Sequence, residues 1–308
     1  MIAPVGTTAE AQTEKNSDVF LPEHVRSRLL QNQSIQMLPW LAVKAVKMAE
    51  DPDCSMNEFT AIVERDVSLV SGILSLANSV FYSSGKPLAN VRQAVIRLGV
   101  RTCRNLILSS CITSLMSRMS MKQEWIRETL ARHGFFTAVL AQNLNRALSA
   151  GFDGEEFTAG LVHDIGRTLL ASCYVDEFLE FDSMEFTEDT DYLDREASIL
   201  GTTHAHVGAW YATNSGLPES LIAVVRYHHR PTEAEANRRL VALIAVADHM
   251  ANYAQRFENA NDYDFSSNPF VSILEETGVN CAPLMEPGAA AQHLELAEDA
   301  VAKMSSLK

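Results

Sequence analysis

Residues 160–167 read Gly160-Leu161-Val162-His163-Asp164-Ile165-Gly166-Arg167, a histidine–aspartate pair inside an apolar run. Around that pair stand five more side chains able to ligate a metal: His133 upstream, then His204, His228-His229 and Asp248 downstream. Seven of the nine histidines fall between positions 133 and 249, and only His24 and His293 lie outside. Neutral imidazole and carboxylate suit zinc, iron, manganese or nickel at a hydrolytic centre. On a helix, His163 and Asp164 would point about 100° apart. That spacing suits two ligands reaching one ion from a shared turn, or a carboxylate bridging two ions while His163 binds one.

The flanking sequence is helical in period, and nothing alternates with period two for long enough to suggest a sheet. His133 lies on the stripe Ile126, Leu130, His133, Thr137, Leu140, Leu144, which turns it inward. Asp248 follows Val241, Ile244 and Ala247 on an otherwise apolar helix, so it also faces inward. A buried carboxylate without a partner costs several kcal/mol, and an arginine or a helix N-terminus would neutralise it as well as a metal would. Counted together, however, these inward groups would each need separate satisfaction, whereas one or two divalent cations would satisfy them all. His204 opens a segment of helical spacing (His204, Val207, Gly208, Tyr211), and His228-His229 closes the apolar stretch Leu221 to Val225 just before Pro231. His206 and His249 read as bystanders.

Further out, punctuation sets the elements. Leu41, Ala45, Met48 and Ala49 form a stripe that stops at Asp51-Pro52. Ser55 and Glu58 make a capping box for a helix over Met56 to Arg65. Asp66 precedes the stripe Leu69, Val70, Ile73, Leu74, and Ser83 to Pro87 reads as a turn. Asn90 caps a helix that ends at Gly99, and a longer one runs from about Arg101 to Arg118. The expectation is an all-α, two-lobed helical bundle: a flexible leader over 1–20, an N-terminal lobe over 21–118, and a site-bearing lobe over 119–255 that opens with a long helix from Glu124. Residues 256–308 would form an irregular surface excursion and a short closing helix. There is no internal repeat.

Composition narrows the partners. A formal net charge of −14 disfavours nucleic acid. Arg92, Arg97, Arg101 and Arg104 form one basic cluster, which reads as a solvated helix face. Five separated cysteines argue for reduced thiols, with Cys103 and Cys111 as core fillers. With neither a signal sequence nor an apolar run of about 20 residues, a cytoplasmic protein with no membrane partner is expected.

The order H…HD…H…HH…D resembles the HD superfamily of metal-dependent phosphohydrolases. Glu64-Arg65-Asp66, Leu76-Ala77-Asn78-Ser79-Val80-Phe81-Tyr82, Val91-Arg92-Gln93-Ala94-Val95 and Leu98-Gly99-Val100-Arg101 narrow this to a resemblance to the HDOD domain, the HD-related output domain. Gly201 to Gly208 and Gly216-Leu217-Pro218-Glu219 fit that family's later motifs, and the likeness spans roughly residues 22–250. The resemblance implies an HD-like C-terminal lobe and a bacterial signal-transduction module binding a signalling protein or a small phosphorylated ligand. The alternative it implies is a phosphohydrolase or phosphodiesterase acting on a nucleotide or phosphodiester, with Asp164 and Arg167 as catalytic residues. By analogy with HD-GYP phosphodiesterases, His133, His163, Asp164 and Asp248 would hold one metal. Asp164 would bridge to a second, held by His204, His228 and His229. The cofactor implied is iron, manganese, zinc or nickel, one or two per chain. Two departures stand out: Arg167 replaces the lysine of those enzymes, and Arg230-Pro231-Thr232 stands where their GYP motif would follow.

Overall fold

A computed structural model of the chain describes residues 20–51, 53–78, 86–187, 191–257 and 262–305. Most of the expected leader, residues 83–85 of the expected turn and residues 79–82 of the Asn78 motif lie outside these. Among the described residues the regular structure is entirely helical. In the N-terminal lobe, α1 (Glu23–Gln31), α2 (Trp40–Glu50), α3 (Met56–Val63) and α4 (Val67–Ala77) precede the long α5 (Val91–Arg118). The caps behave as the sequence implies. Ser55 accepts from the Glu58 amide at 3.2 Å while Glu58 accepts from the Ser55 amide at 3.1 Å. Asp66 and Asn90 cap α4 and α5 from their side chains. The expected helix end at Gly99 is a kink within α5, where Gly99 takes φ 81°. Helix α3 stops at Val63, two residues early, because Asp66 is already committed to capping α4.

The second lobe opens with α6 (Glu124–Leu148). The helices α7 (Glu155–Val162), α8 (Ile165–Cys173), α9 (Phe178–Phe181), α10 (Asp191–Leu200), α11 (His204–Asn214), α12 (Glu219–Tyr227) and α13 (Arg238–Arg256) follow. One continuous apolar core runs through both lobes, with α5 packed on α2, α3 and α4 on one side and on α7 on the other.

The closing part of the chain departs from expectation. A short helix α14 (Phe270–Glu276) packs on α13, and Tyr263, Phe265, Val271, Leu274 and Leu284 are buried. The Asn, Asp and Pro content of this stretch caps and turns short pieces around buried apolar anchors. Asn268 bonds the Val246 carbonyl and the Tyr263 hydroxyl at 3.1 and 2.8 Å, which ties the loop to α13. The last helix, α15 (Ala289–Ser305), packs against α6.

Three glycine contacts set the geometry of the site. A Cβ on Gly160 would lie 2.6 Å from the Ala138 Cα, and one on Gly134 would lie 3.0 Å from the Leu161 carbonyl oxygen. Helices α6 and α7 therefore cross closely enough to bring His133 beside His163. A Cβ on Gly166 would lie 1.9 Å from the His204 carbonyl oxygen, so α8 and α11 touch backbone to backbone. That contact brings His204 to Asp164.

Candidate metal centre

His163 and Asp164 occupy the two-residue break between α7 and α8: His163 ends one helix, and Asp164, at φ −100° and ψ 19°, starts the next. A continuous helix would have separated the two side chains; the break lets both point into one centre. His133 comes from α6, His204 from the first turn of α11, His228 and His229 from the end of α12, and Asp248 from α13. All seven expected ligands meet, in two groups: His133, His163 and Asp248, and Asp164, His204, His228 and His229. His206 and His249 stand outside both groups. They bond instead to Thr203 and to the Tyr263 hydroxyl, both at 2.9 Å.

Asp164 joins the groups through different oxygens. Its Oδ1 lies 3.4 Å from both His204 Nε2 and His228 Nε2. Its Oδ2 lies 3.7 Å from His133 Nε2 and 3.6 Å from His163 Nε2. Asp248 Oδ1 closes the first group at 3.0 Å from His133 Nε2 and 3.4 Å from His163 Nε2.

The outer faces of the rings fix which nitrogen points inward. His163 Nδ1 donates to the Gly160 carbonyl at 2.7 Å, and His228 Nδ1 donates to the Val225 carbonyl at 3.1 Å. His204 Nδ1 lies 3.0 Å from the Glu196 carboxylate, and His133 Nδ1 lies 2.6 Å from Gln255 Oε1. In the neutral rings the Nε2 lone pairs of His133 and His163 therefore face each other 3.2 Å apart, and His204 Nε2 points toward His229 Nε2 at 3.0 Å. Two lone pairs repel, and a cation between them resolves the conflict. Asp164 Oδ1, Asp248 Oδ1 and His228 Nε2 are buried without a hydrogen bond of acceptable geometry, although charged neighbours are close. These orphaned atoms and this donor chemistry fit one or two divalent metals.

Electrostatics divides the groups. Burial opposes charge on His163, but the Asp164 and Asp248 carboxylates outweigh it and raise the ring to about 9. Burial pushes His229 well below the usual imidazole range, helped by His228 and His204. It lowers His228 as well, whereas His204 in the same group is raised, because the Glu196 and Asp164 carboxylates outweigh its burial. Asp164 and Asp248 resist burial and stay well below the usual carboxylate range, Asp164 because of His163, Arg167 and the other histidines around it, Asp248 because of His163 and His133.

Arg167 reaches the centre with its guanidinium already engaged. Its Nε and Nη2 donate to Asp182 at 2.7 and 2.8 Å, and its Nη1 donates to Asp164 Oδ2 at 3.1 Å. The group also lies 4.5 Å from the centre of the Phe186 ring. A planar fork held this way orients Asp164. Phe186 and Met184 hold left-handed backbones, φ 51° and 58°, and the Phe186 ring packs 4.8 Å from that of His133. Tyr192 completes the cover, with its hydroxyl 2.8 Å from His229 Nε2 and its ring parallel to His204. The space left among Asp164, Arg167, Phe186, Tyr192, His229 and Asp248 is about 20 Å³.

Asp182, Glu196, Tyr192, Gln255 and Phe186 escape a reading of the sequence. A signal existed for one of them: Leu193, Glu196 and Leu200 share the buried face of α10, so Glu196 is a carboxylate on an apolar stripe, as Asp248 is.

The HDOD domain family matches residues 35–231. An uncharacterized protein of Treponema pallidum (strain Nichols) is 26% identical over 252 residues, 80% of this chain and 46% of that protein, so the chain spans about half the length of this curated relative. Among solved structures, an HDOD domain protein of unknown function from Geobacter sulfurreducens superposes with TM-score 0.72 at 22% identity, over 90% of this chain and 95% of that one. A candidate phosphohydrolase from Shewanella amazonensis gives 0.66 at 22%, over 89% and 98%. A candidate signal transduction protein from Marinobacter aquaeolei gives 0.63 at 19%, over 95% and 68%. At these identities the structures share the fold. The matched region holds the N-terminal motifs and every ligand from His133 to His229, and on that ground the chain belongs to the HDOD domain family.

Proposed function

We propose that this chain is a signal-transduction module that holds two divalent transition metals in a buried centre and answers to a signalling protein or a small phosphorylated ligand. One observation carries this reading. A seven-residue donor set meets beside a small space of about 20 Å³ lined in part by Phe186 and Tyr192, room for about one water. His133, His163, Asp248 and Asp164 Oδ2 would hold one ion, and Asp164 Oδ1, His204, His228 and His229 the other. Glu196, Gln255 and the Gly160 carbonyl orient the rings, and Phe186 packs against the His133 ring and the Arg167 guanidinium. Arg167, charge-matched by Asp182, positions Asp164 and is poorly placed to receive a phosphate.

The bridging position of Asp164 favours a second reading, a metal-dependent phosphohydrolase. Two ions in such a site would activate water and stabilise charge on phosphoryl oxygens. Elemental analysis of protein purified without a metal-affinity tag, alongside a phosphodiester assay, tests both. The signalling reading expects bound metal in the wild type, its loss in Asp164→Ala, and no turnover. Turnover that disappears in Asp164→Ala would establish the hydrolase, and a metal-free wild type would end both readings.

A further inference from the structure

The two ligand groups are unequal in charge. Asp248 gives the first ion a carboxylate of its own, whereas the second would share Asp164 and otherwise meet three imidazoles, which bind metals in their neutral form. A cation so placed lacks an anion, and Tyr192 brings a group able to become one. We infer that Tyr192 is a further ligand of the second ion, its phenol oxygen joining Asp164 Oδ1, His204, His228 and His229. The inference rests on the metal-centre reading above and deepens it, by naming a donor outside the histidine–aspartate set and the metals that donor favours.

Position supports it. The Tyr192 hydroxyl stands 2.8 Å from His229 Nε2 and 3.1 Å from His229 Nδ1. Such similar distances put it opposite the ring carbon between the two nitrogens, off the lone-pair axis of either, so its bond to His229 is poorly directed. Two donors on one ion, each about 2.0–2.2 Å from it, lie roughly 3 Å apart. The hydroxyl already keeps about that separation from His229 Nε2. Tyr192 also lines the same small space as Asp164, His229 and Asp248. Its ring lies parallel to that of His204 with centres 6.0 Å apart, and Glu196, one turn further along α10, bonds the His204 ring and amide. Helix α10 thus serves the second group twice from one face, with Tyr192 toward the ion and Glu196 behind an imidazole. As the oxygen–metal bond forms, the O–H bond breaks and its proton leaves to solvent, much as a coordinated thiol or water is acidified. Phenolate is a hard anionic oxygen donor that favours iron or manganese, and tyrosinate serves as a donor to haem iron. With Tyr192 in place, the position that a water-activating metal keeps open is filled, which sets the signalling reading ahead of the hydrolase.

The test uses the full chain, loaded with ferrous iron under nitrogen, oxidised with ferricyanide and desalted, with iron per chain measured at the end. Ferric iron bound to phenolate absorbs strongly in the visible by charge transfer from the ring, and the wild type should show that band. Tyr192→Phe should lose the band and keep its iron, because the histidine and aspartate ligands remain. Tyr227→Phe, on α12 beside His228, should keep both. Raman excitation into the band should enhance tyrosine ring modes, and these should shift in wild type grown on ring-deuterated tyrosine. That measurement needs no variant and decides the matter if Tyr192→Phe folds poorly or loses its iron. Iron-loaded wild type without the band, a band unchanged in Tyr192→Phe, or a band without tyrosine modes overturns the inference. Failure to take up iron, or its loss on oxidation, overturns it too, since phenolate holds ferric iron more tightly than ferrous. Elemental analysis of the protein as isolated judges the metal-centre reading separately.

Discussion

Asp164 meets each histidine group with a different oxygen, so its loss should act on both. Asp164→Ala is expected to remove every equivalent of bound metal, whereas His229→Ala should spare the ion held by His133, His163 and Asp248. Metal content per chain distinguishes the two. The second test at this scale is Glu196→Gln. Glu196 holds both the His204 ring and the His204 amide, and losing such an orienting carboxylate typically costs about 10–100-fold in metal affinity. Competition with a chelator of known affinity would read that change; unaltered affinity would mean Glu196 only supports the fold. His133 and Asp248 were legible in the sequence because helical period turns each toward an apolar face. Asp182 and Tyr192 were not, since their roles arise from contacts across separate segments that no local pattern encodes.

At the level of elements, the centre depends on where helices touch. Gly166 lies against the His204 carbonyl, and only backbone movement would accommodate a methyl group there. Gly166→Ala should therefore destabilise the protein by about 3 kcal/mol or more, and it should lose metal from the group that contains His204. Denaturant unfolding and metal analysis check this; a variant as stable as the wild type would show that α8 and α11 can part without cost. The capping residues Ser55 and Asn90 were readable because a cap is a short-range bond. The break between α7 and α8 was hidden, since no glycine or proline marks it. Helix α14 was hidden by the polar residues that cap and turn around it.

For the molecule as a whole, metal and proton would compete for the same buried atoms in the proposed centre. Stripping the metal should lower the melting temperature, because a ligand at about 100 times its Kd contributes roughly 2.7 kcal/mol. The metal-free protein should also respond to alkali. His163 is raised from 6.5 to about 9, so its contribution is fully present below pH 6.5 and is lost as pH climbs through about 9. Melting curves of chelated protein should fall across that window while those of metal-loaded protein hold steady, and matching curves would count against a proton taking the place of the cation. The all-α architecture was legible because period and punctuation agreed along most of the chain, and the core that joins both lobes was not, because it is built from contacts distant in sequence. Asp248 and Gln255, which close and orient the first ligand group, both lie beyond residue 231, where the family match ends. A fragment trimmed to that boundary would keep the signature and lose Asp248 and Gln255 from the candidate centre. The unit that heredity marks is thus shorter than the unit that the proposed metal centre would require.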